Sequence, residues 1–292
     1  MSSGRSTQGP WTTLVSVADL RACMALEDPD LVVLDARFSL DDEAWGTRAY
    51  REEHIAGALR ADLAEDMAGP IIEGVTGRRP FPDPADFART VSRWGIDESS
   101  QVVVYDAECG LMAASRLWLM MRWMGHDRVA VLDGGWQAWL AAAGPVASGD
   151  EKRQPRQFTP RLRPQLLAEV DEVDKARQRT KTCVFDSRGA EGYHGGGKYY
   201  DPVRGHIAGA GLADRAETTG PDGHFRSAEA LREHYDRLIG DTPAPEVIYY
   251  CGSGVTAAQN VLAMEVAGLP GSRMYVGSWS EWILDPTRPV EL

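Results

Sequence analysis

The sequence predicts an α/β protein made of two tandem copies of one domain, each a parallel sheet flanked by helices on both faces. Short segments that are apolar on both faces alternate with helical segments, which is typical of parallel strands covered by helices. The chain also repeats itself, because four segments of the first half recur in the same order in the second half. Its 292 residues suit two domains of ordinary size.

The repeat is clearest at His54–Ala58, which recurs letter for letter as His206–Ala210. Three further matches pair Leu31–Arg37 with Cys183–Arg188, Val102–Asp106 with Val247–Cys251, and Gly135–Trp139 with Ser278–Trp282. A polar segment with four prolines separates the copies and resists helix formation. We therefore expect a first domain over 12–143, a linker over 144–165 and a second domain over 166–292.

In the first copy, Ser16 is a suitable N-cap for a helix, and Gly95 ends a later one. The short apolar segments between the helices are predicted as buried strands. In chain order we predict helix Val17–Leu26, strand Leu31–Leu34, a long loop, helix Ala85–Trp94, strand Gln101–Tyr105, helix Ala113–Trp123, strand Val129–Leu132 and helix Trp136–Ala142.

The second copy predicts the same alternation, with Ser227 as the N-cap of its longest helix. In chain order we predict helix Ala168–Arg179, strand Thr182–Phe185, helix Ala228–Ile239, strand Val247–Tyr250, helix Thr256–Ala267, strand Arg273–Val276 and a final helix around Ser280–Leu284.

Charge and composition argue against several classes of partner. The chain has 31 Lys and Arg against 43 Asp and Glu, a formal net charge of −12, so nucleic acid and anionic membranes are disfavoured. No apolar segment approaches the roughly 20 residues that a membrane span needs. The first residues lack the apolar core of a signal peptide, so we expect a cytoplasmic protein.

Four cysteines are spread along the chain: Cys23, Cys109, Cys183 and Cys251. Their spacing favours neither a zinc site nor a disulfide framework, and we expect no metal. Three of them are interpreted as buried apolar residues. Cys251 differs because it is the first residue after a predicted strand, and Gly252 and Gly254 follow it.

The position of Cys251 predicts a reactive thiol. In open α/β sheets, ligands bind beyond the carboxyl ends of the strands. The segment Cys251–Ala257 leads from such an end into a predicted helix, whose first N–H groups have no partners within the helix. These amides and the helix dipole favour a thiolate, and they would equally favour a persulfide anion.

The segment Cys-Gly-Ser-Gly-Val-Thr-Ala resembles the active-site loop of the rhodanese superfamily, specifically of its tandem-domain sulfurtransferases. The segments Asp186–Arg188, Gly205–Ala210 and Gly277–Trp282 fit the same family, as do Gly57 and Asp133–Trp136 of the first half. The resemblance implies a catalytically silent first domain and a second domain that carries the cysteine. Asp106 stands at the first-domain position that matches Cys251, and Cys109 is not equivalent.

The resemblance implies a sulfurtransferase that works through a Cys251 persulfide, without a cofactor. The donor is a small molecule, and the acceptor is a thiol, a thioredoxin-like protein or cyanide. The neutral loop is similar to that of 3-mercaptopyruvate enzymes, whereas thiosulfate enzymes have two cations there. Thiosulfate remains the alternative donor. The candidate substrate-binding residues are Gly252, Ser253, Gly254, Val255, Thr256, Arg188, Lys198 and Arg204.

The sequence departs from the family pattern at two places. Gly192 stands where the family has an arginine that binds the donor carboxylate, and Lys198 or Arg204 is the candidate replacement. Arg79 stands where some 3-mercaptopyruvate enzymes have a histidine that activates the loop serine, so no Ser–His–Asp relay is expected. Arg188 repeats Arg37 of the first copy, and we expect each to pair with a nearby carboxylate as well.

Two other functions are possible for a chain of this fold. Protein phosphatases of this fold need an arginine to hold the phosphate, in a Cys-x5-Arg loop, but this chain has Ala257 at that position, so phosphatase activity is disfavoured. A sulfur-carrier or docking protein without turnover remains an alternative, because the cation at position 192 is missing.

Overall fold

A computed structural model describes residues 10–107, 110, 112–198 and 200–292. Cys109, which the alignment of the two copies does not match with Cys251, lies outside the described residues. The first domain contains β1 (Leu14–Val15), α1 (Val17–Met24), β2 (Leu31–Asp35), α2 (Trp45–Glu52), β3 (His54–Ile55), β4 (Leu59–Arg60), α3 (Pro84–Arg93), β5 (Gln101–Tyr105), α4 (Ala113–Trp123), β6 (Val129–Leu132), α5 (Gly135–Ala141) and β7 (Val146–Ala147).

The second domain repeats this order of elements. It contains β8 (Leu167–Ala168), α6 (Val170–Ala176), β9 (Val184–Asp186), α7 (Ala190–Tyr193), β10 (His206–Ile207), β11 (Gly211–Leu212), α8 (Ala228–Ile239), β12 (Ile248–Tyr250), α9 (Ala258–Val266), β13 (Arg273–Tyr275), α10 (Ser278–Trp282) and β14 (Val290–Glu291).

Each domain has a five-stranded parallel sheet, and the two sheets share one strand order. The order is β1-β6-β5-β2-β4 in the first sheet and β8-β13-β12-β9-β11 in the second, so equivalent strands occupy equivalent places. Each domain also has a short antiparallel ribbon, β3 with β7 and β10 with β14. The predicted α/β fold and its internal repeat are confirmed.

The histidines of the repeated segment hold the fold together in both copies. The His54 ring stacks on Tyr50 at 4.1 Å, and the His206 ring stacks on Tyr193 at 3.6 Å. In each case the Nδ1 atom lies within hydrogen-bond distance of the carbonyl oxygen of the same tyrosine. This equivalent packing at both sites agrees with a structural role for the repeated histidines.

The core crosses the boundary between the two domains. Helices α4 and α9 pack against each other, and both are apolar on most sides, which is typical of helices buried on all faces. One continuous cluster of buried side chains therefore joins the facing sides of both sheets, whereas each outer face has its own smaller cluster. This contact places first-domain residues beside the loop that follows β12.

The proline-rich segment between the copies is bound to the first domain. Arg153 donates to the carbonyl oxygen of Leu31 at 2.7 Å, and Arg156 pairs with Asp30 at 2.7 Å. Phe158 is buried, its ring lies 6.1 Å from that of His126, and its amide donates to the Ser92 hydroxyl of the first domain. The segment is extended over most of its length, as its prolines require.

The structure corrects several predicted boundaries. The predicted long loop contains α2, a short and mostly polar helix that includes Gly46, a weak helix former. The helix predicted over Ala168–Arg179 is shorter, because Glu169 forms a capping box at its start. The helix predicted from Thr256 begins at Ala258. No helix of the described residues is long and apolar enough to cross a bilayer.

Candidate active site

Cys251 is the first residue of the loop that leaves β12, the central strand of the second sheet. The loop turns back at Gly254, which has a φ of +76°. A Cβ at Gly254 would lie 2.0 Å from the carbonyl oxygen of Val276, so the turn requires glycine for both conformation and space. The rest of the loop therefore curls around the Cys251 side chain.

Hydrogen-bond donors surround the Cys251 sulfur. The Thr256 hydroxyl and the backbone amides of Ala257, Ser253 and Val255 all bond to it. Burial acts to raise the pKa of the Cys251 thiol, but these hydrogen bonds outweigh burial, so its pKa lies below the ordinary value. The site therefore stabilises a thiolate, which is the nucleophilic form of cysteine.

Helix α10 fixes the backbone of this loop. The carbonyl oxygens of Cys251 and Gly252 accept the amides of Trp279 and Ser280, each at 3.0 Å. The Cys251 amide donates to the Ser278 hydroxyl at 3.1 Å. These bonds hold the sulfur and its ring of donors in one geometry before any ligand arrives.

A cavity of about 240 Å³ opens over the loop. Cys251 is only 1% exposed, yet it lines this cavity together with Gly252, Ser253, Val255 and Thr256. The sulfur is therefore buried within the protein but adjoins a space in which a small donor fits. The other lining residues are Leu40, Arg78, Arg188, Gly189, Gly192, Gly196, Lys198, Tyr200, Asp201, Val203, Gly205, Arg215 and Trp279.

The three predicted cations occupy different places. Arg188 lines the cavity, but its guanidinium is held by Asp186 at 2.6 Å. Lys198 lies at the cavity rim and pairs with Asp41 of the first domain. Arg204 is exposed and does not line the cavity, although its neighbours on both sides do, so the prediction that it supplies a cation there is corrected.

Two cations that the sequence analysis missed also line the cavity: Arg78 of the first domain and Arg215 of the second. Arg78 forms a two-point contact with Asp201, with Nε to Oδ1 at 3.0 Å and Nη2 to Oδ2 at 3.1 Å. It reaches the site because the chain before it passes close to α10. A Cβ at Gly77 would lie 2.4 Å from the carbonyl oxygen of Gly277, a close approach that only glycine allows.

Arg79, the residue at the position of the family histidine, pairs with Glu43 and does not line the cavity. The guanidinium of Arg79 also lies 5.6 Å from the centre of the Phe38 ring. Its side chain is therefore paired with Glu43 outside the cavity that Ser253 lines.

The equivalent loop of the first domain holds a carboxylate instead of a sulfur. Asp106 accepts the amides of Gly110 at 2.8 Å, Met112 at 3.2 Å and Ala114 at 3.1 Å. In this loop the main-chain amides thus bond to the Asp106 carboxylate, where the second domain has the Cys251 sulfur. This arrangement agrees with a silent first domain.

Within the described ranges, no cluster of three or more His, Cys, Asp or Glu side chains could hold a metal ion. Among the cysteines with a described position, Cys23 and Cys183 have raised pKa values, in both cases mainly because they are buried. Cys251 is the one whose pKa is lowered.

Comparisons with known proteins agree with this geometry. A probable 3-mercaptopyruvate sulfurtransferase of Pseudomonas aeruginosa is 42% identical over 266 residues, which cover 91% of this chain and 93% of the relative. A thiosulfate sulfurtransferase of Rattus norvegicus is 34% identical over 260 residues, which cover 87% of this chain and 85% of the relative.

Among solved structures, 3-mercaptopyruvate sulfurtransferase from Leishmania major matches with a TM-score of 0.81 and 28% identity, covering 95% of this chain and 75% of that one. The family model of the rhodanese-like domain matches twice, at residues 18–142 and 169–285. The relatives confirm the predicted enzyme class, sulfurtransferase. The chain belongs to the family of rhodanese-like domain proteins and contains two such domains in tandem.

Proposed function

We propose that this chain transfers a sulfane sulfur from 3-mercaptopyruvate to a thiol, a thioredoxin-like protein or cyanide through a Cys251 persulfide. The observation that carries the proposal is the position of the Cys251 sulfur, inside a ring of hydrogen-bond donors and beside a cavity of about 240 Å³. In this proposal, residues 166–292 form the catalytic domain, 12–143 the silent domain and 144–165 the linker.

In the first half-reaction, the Cys251 thiolate attacks the sulfur of the donor. An S–S bond forms while the carbon–sulfur bond of the donor breaks, and the bonding electron pair leaves as the enolate of pyruvate. The proton of the donor thiol reaches the enolate carbon through solvent, which gives pyruvate and a persulfide anion. The acceptor then attacks the outer sulfur and restores the thiolate, so ping-pong kinetics are expected.

The same donors serve both forms of the cysteine. Thiolate and persulfide each carry one negative charge, and the amides of Ser253, Val255 and Ala257 point into the space that this charge occupies. No reorganisation of the loop is needed between the half-reactions. Gly252 lines the cavity and adds no side chain that would block the approach of a donor, whereas Gly254 serves the turn of the loop and does not line the cavity.

The choice of donor rests on charge. The Cys251 loop carries no cation of its own, which suits a keto acid better than the thiosulfate dianion. The donor carboxylate is expected to meet the cationic side of the cavity, formed by Arg78, Lys198 and Arg215. The relative from Pseudomonas aeruginosa supports this choice, whereas the relative from Rattus norvegicus supports thiosulfate as the second candidate.

The test compares turnover of the two donors by the wild type, Cys251→Ser and Cys23→Ser. We expect pyruvate release from 3-mercaptopyruvate with a small thiol as acceptor, a lower kcat/KM for thiosulfate, and loss of activity in Cys251→Ser. Cys23→Ser is the control, because Cys23 lies in α1 of the first domain and should not matter. If wild type and Cys251→Ser are equally inert with both donors, the carrier alternative replaces the enzyme.

A further inference from the structure

A buried arginine of the first domain contacts the Cys251 loop. Arg116 lies on α4 and is 0% exposed. Its Nη1 atom donates to the carbonyl oxygen of Gly254 at 2.5 Å, within the loop that surrounds the Cys251 sulfur. The guanidinium also packs on the Phe81 ring, 4.7 Å from its centre. The silent domain thus places a positive charge behind the catalytic loop.

All the hydrogen-bond partners of this guanidinium in the described part of the chain are neutral. They are the carbonyl oxygens of Gly254, Arg79, Met67 and Pro80, at distances of 2.5–3.2 Å. The Nε atom has no hydrogen-bond partner there. Carbonyl oxygens satisfy N–H groups but do not neutralise a charge.

Buried Arg37 and half-buried Arg188 are neutralised differently. Arg37 pairs with Asp35 at 2.7 Å, and Arg188 pairs with Asp186 at 2.6 Å. For Arg116, no carboxylate of the described residues lies within ion-pair distance. Because an uncompensated buried charge is costly, a buried guanidinium without a carboxylate indicates another anion nearby.

The Cys251 thiolate is the candidate for that anion, because Arg116 bonds to Gly254 of the loop that curls around the Cys251 sulfur. Burial lowers the pKa of Arg116 to about 9, the charge of Cys251 acts to raise it, and the charge of Arg79 acts to lower it further. Cys251 is therefore the acidic group whose charge favours protonated Arg116. The guanidinium remains protonated at neutral pH, and attraction between the two charges favours the thiolate equally.

We propose that Arg116 of the silent domain supplies the buried positive charge that stabilises the Cys251 thiolate and, given the proposed function, the persulfide anion that replaces it. This charge adds to the hydrogen bonds that already lower the pKa of Cys251 in a loop without a cation of its own. It also gives the silent domain a part in the chemistry. Arg116 acts through the charge and position of the loop, so it is a positioning residue.

Other charged groups face Cys251 from the surrounding elements. They are Arg78 and Lys198 at the cavity, Asp201 beside them, Arg188 after β9 and Arg215 before α8. Three of these cations have carboxylate partners of their own, which are Asp201 for Arg78, Asp41 for Lys198 and Asp186 for Arg188. Arg79, which faces Arg116, pairs with Glu43. In each pair the carboxylate offsets the positive charge of its partner, so these cations stabilise a negative charge on the Cys251 sulfur less than an unpaired cation would.

The test measures the rate of Cys251 alkylation by iodoacetamide against pH, with the modified peptide quantified by mass spectrometry. Removing the charge in Arg116→Gln should raise the midpoint of this profile by about one pH unit, which corresponds to a tenfold smaller thiolate fraction below the midpoint. Arg122→Gln is the matched control, because Arg122 lies on the same helix, pairs with Asp127 and does not contact the loop. Its midpoint should not move.

A midpoint of Arg116→Gln equal to that of the wild type would overturn the proposal. If Arg116→Gln does not fold, Arg116→Lys decides, because it keeps the charge but cannot bond to all four carbonyl oxygens. Its midpoint should stay at the wild-type value, and a rise of about one unit in a folded Arg116→Lys would assign Arg116 a purely structural role. Alkylation needs no sulfur donor, so this result is independent of whether the proposed sulfur transfer occurs.

Discussion

Replacing Arg78 by glutamine should weaken donor binding without affecting the reactivity of Cys251. Arg78 lines the cavity from the first domain, and its two-point contact with Asp201 holds the guanidinium in one orientation. Nη2 donates one hydrogen bond to Asp201, and Nε lies within ion-pair distance of the same carboxylate, which leaves Nη1 and the second N–H of Nη2 for the donor carboxylate. Nη2 also lies 3.5 Å from the point where a Cβ of Gly252 would be, directly beside the reactive loop.

The expected loss of donor affinity in Arg78→Gln depends on how exposed the Arg78 side chain is. A hydrogen bond to a charged group contributes about 1.5–3 kcal/mol. The Arg78 side chain is 35% exposed, so solvent screening places the loss at the lower end of that range. We therefore expect KM for 3-mercaptopyruvate to rise by about tenfold, which corresponds to about 1.4 kcal/mol, while kcat changes little.

The loss of Arg78 has a second consequence at Asp201. Burial raises the pKa of the Asp201 carboxyl, whereas the positive charges of Arg78 and Arg188 act to lower it. Without Arg78, an ionised Asp201 would repel an anionic donor. The double variant Arg78→Gln/Asp201→Asn should therefore recover part of the lost affinity.

The assay is steady-state pyruvate release from 3-mercaptopyruvate, with Arg79→Gln as the control. Arg79 is the neighbouring residue and has the same charge, but it pairs with Glu43 outside the cavity. Equal KM values for Arg78→Gln and Arg79→Gln would refute the role assigned to Arg78. A tenfold rise confined to Arg78→Gln would support it.

Two further predictions concern glycines of the site. Gly254→Ala should lower the free energy of unfolding by about 2–4 kcal/mol and slow the alkylation of Cys251. The reason is that the new Cβ would meet the Val276 carbonyl oxygen, at a backbone conformation that alanine disfavours. Urea unfolding measures the change in stability, and an unchanged stability would contradict the strain assigned to this position. Gly192→Arg should lower KM for 3-mercaptopyruvate severalfold, because it restores the cation that the family has at this position. The new side chain has room, since the atom nearest to a Cβ at Gly192 is the Arg188 Cβ, at 3.4 Å. An unchanged or higher KM would show that the cavity binds its donor in another way.

Much of the fold could be predicted because its evidence is local or repeated. Segments such as Val102–Tyr105 are apolar on both faces, and buried parallel strands require this composition, so both sheets follow from the sequence. The repeat also aligns Asp106 with Cys251, so the sequence alone predicts which domain carries the cysteine. Helix α2 was not predicted, because it is short and mostly polar and contains Gly46, a weak helix former.

The candidate site could be predicted only where it is continuous in sequence. The hydrogen-bond donors to the Cys251 sulfur lie within the same short segment of the chain, because the end of the strand, the glycines and the start of the helix follow one another directly. Arg116 reaches the site through the packing of α4 against α9, and Arg78 reaches it through the close approach of the backbone at Gly77. Neither contact can be predicted from a local sequence pattern. Arg204 was placed in the site by its position in a loop, but the direction of a loop side chain cannot be read from the sequence.

The most direct test of the account is the mass of the Cys251 peptide after the purified protein reacts with 3-mercaptopyruvate and before any acceptor is added. We expect a gain of one sulfur atom on Cys251 that a thiol reverses and that is absent from the peptides containing Cys23 and Cys183. An unmodified Cys251 peptide in a protein that releases pyruvate, or the added sulfur on another cysteine, would contradict it.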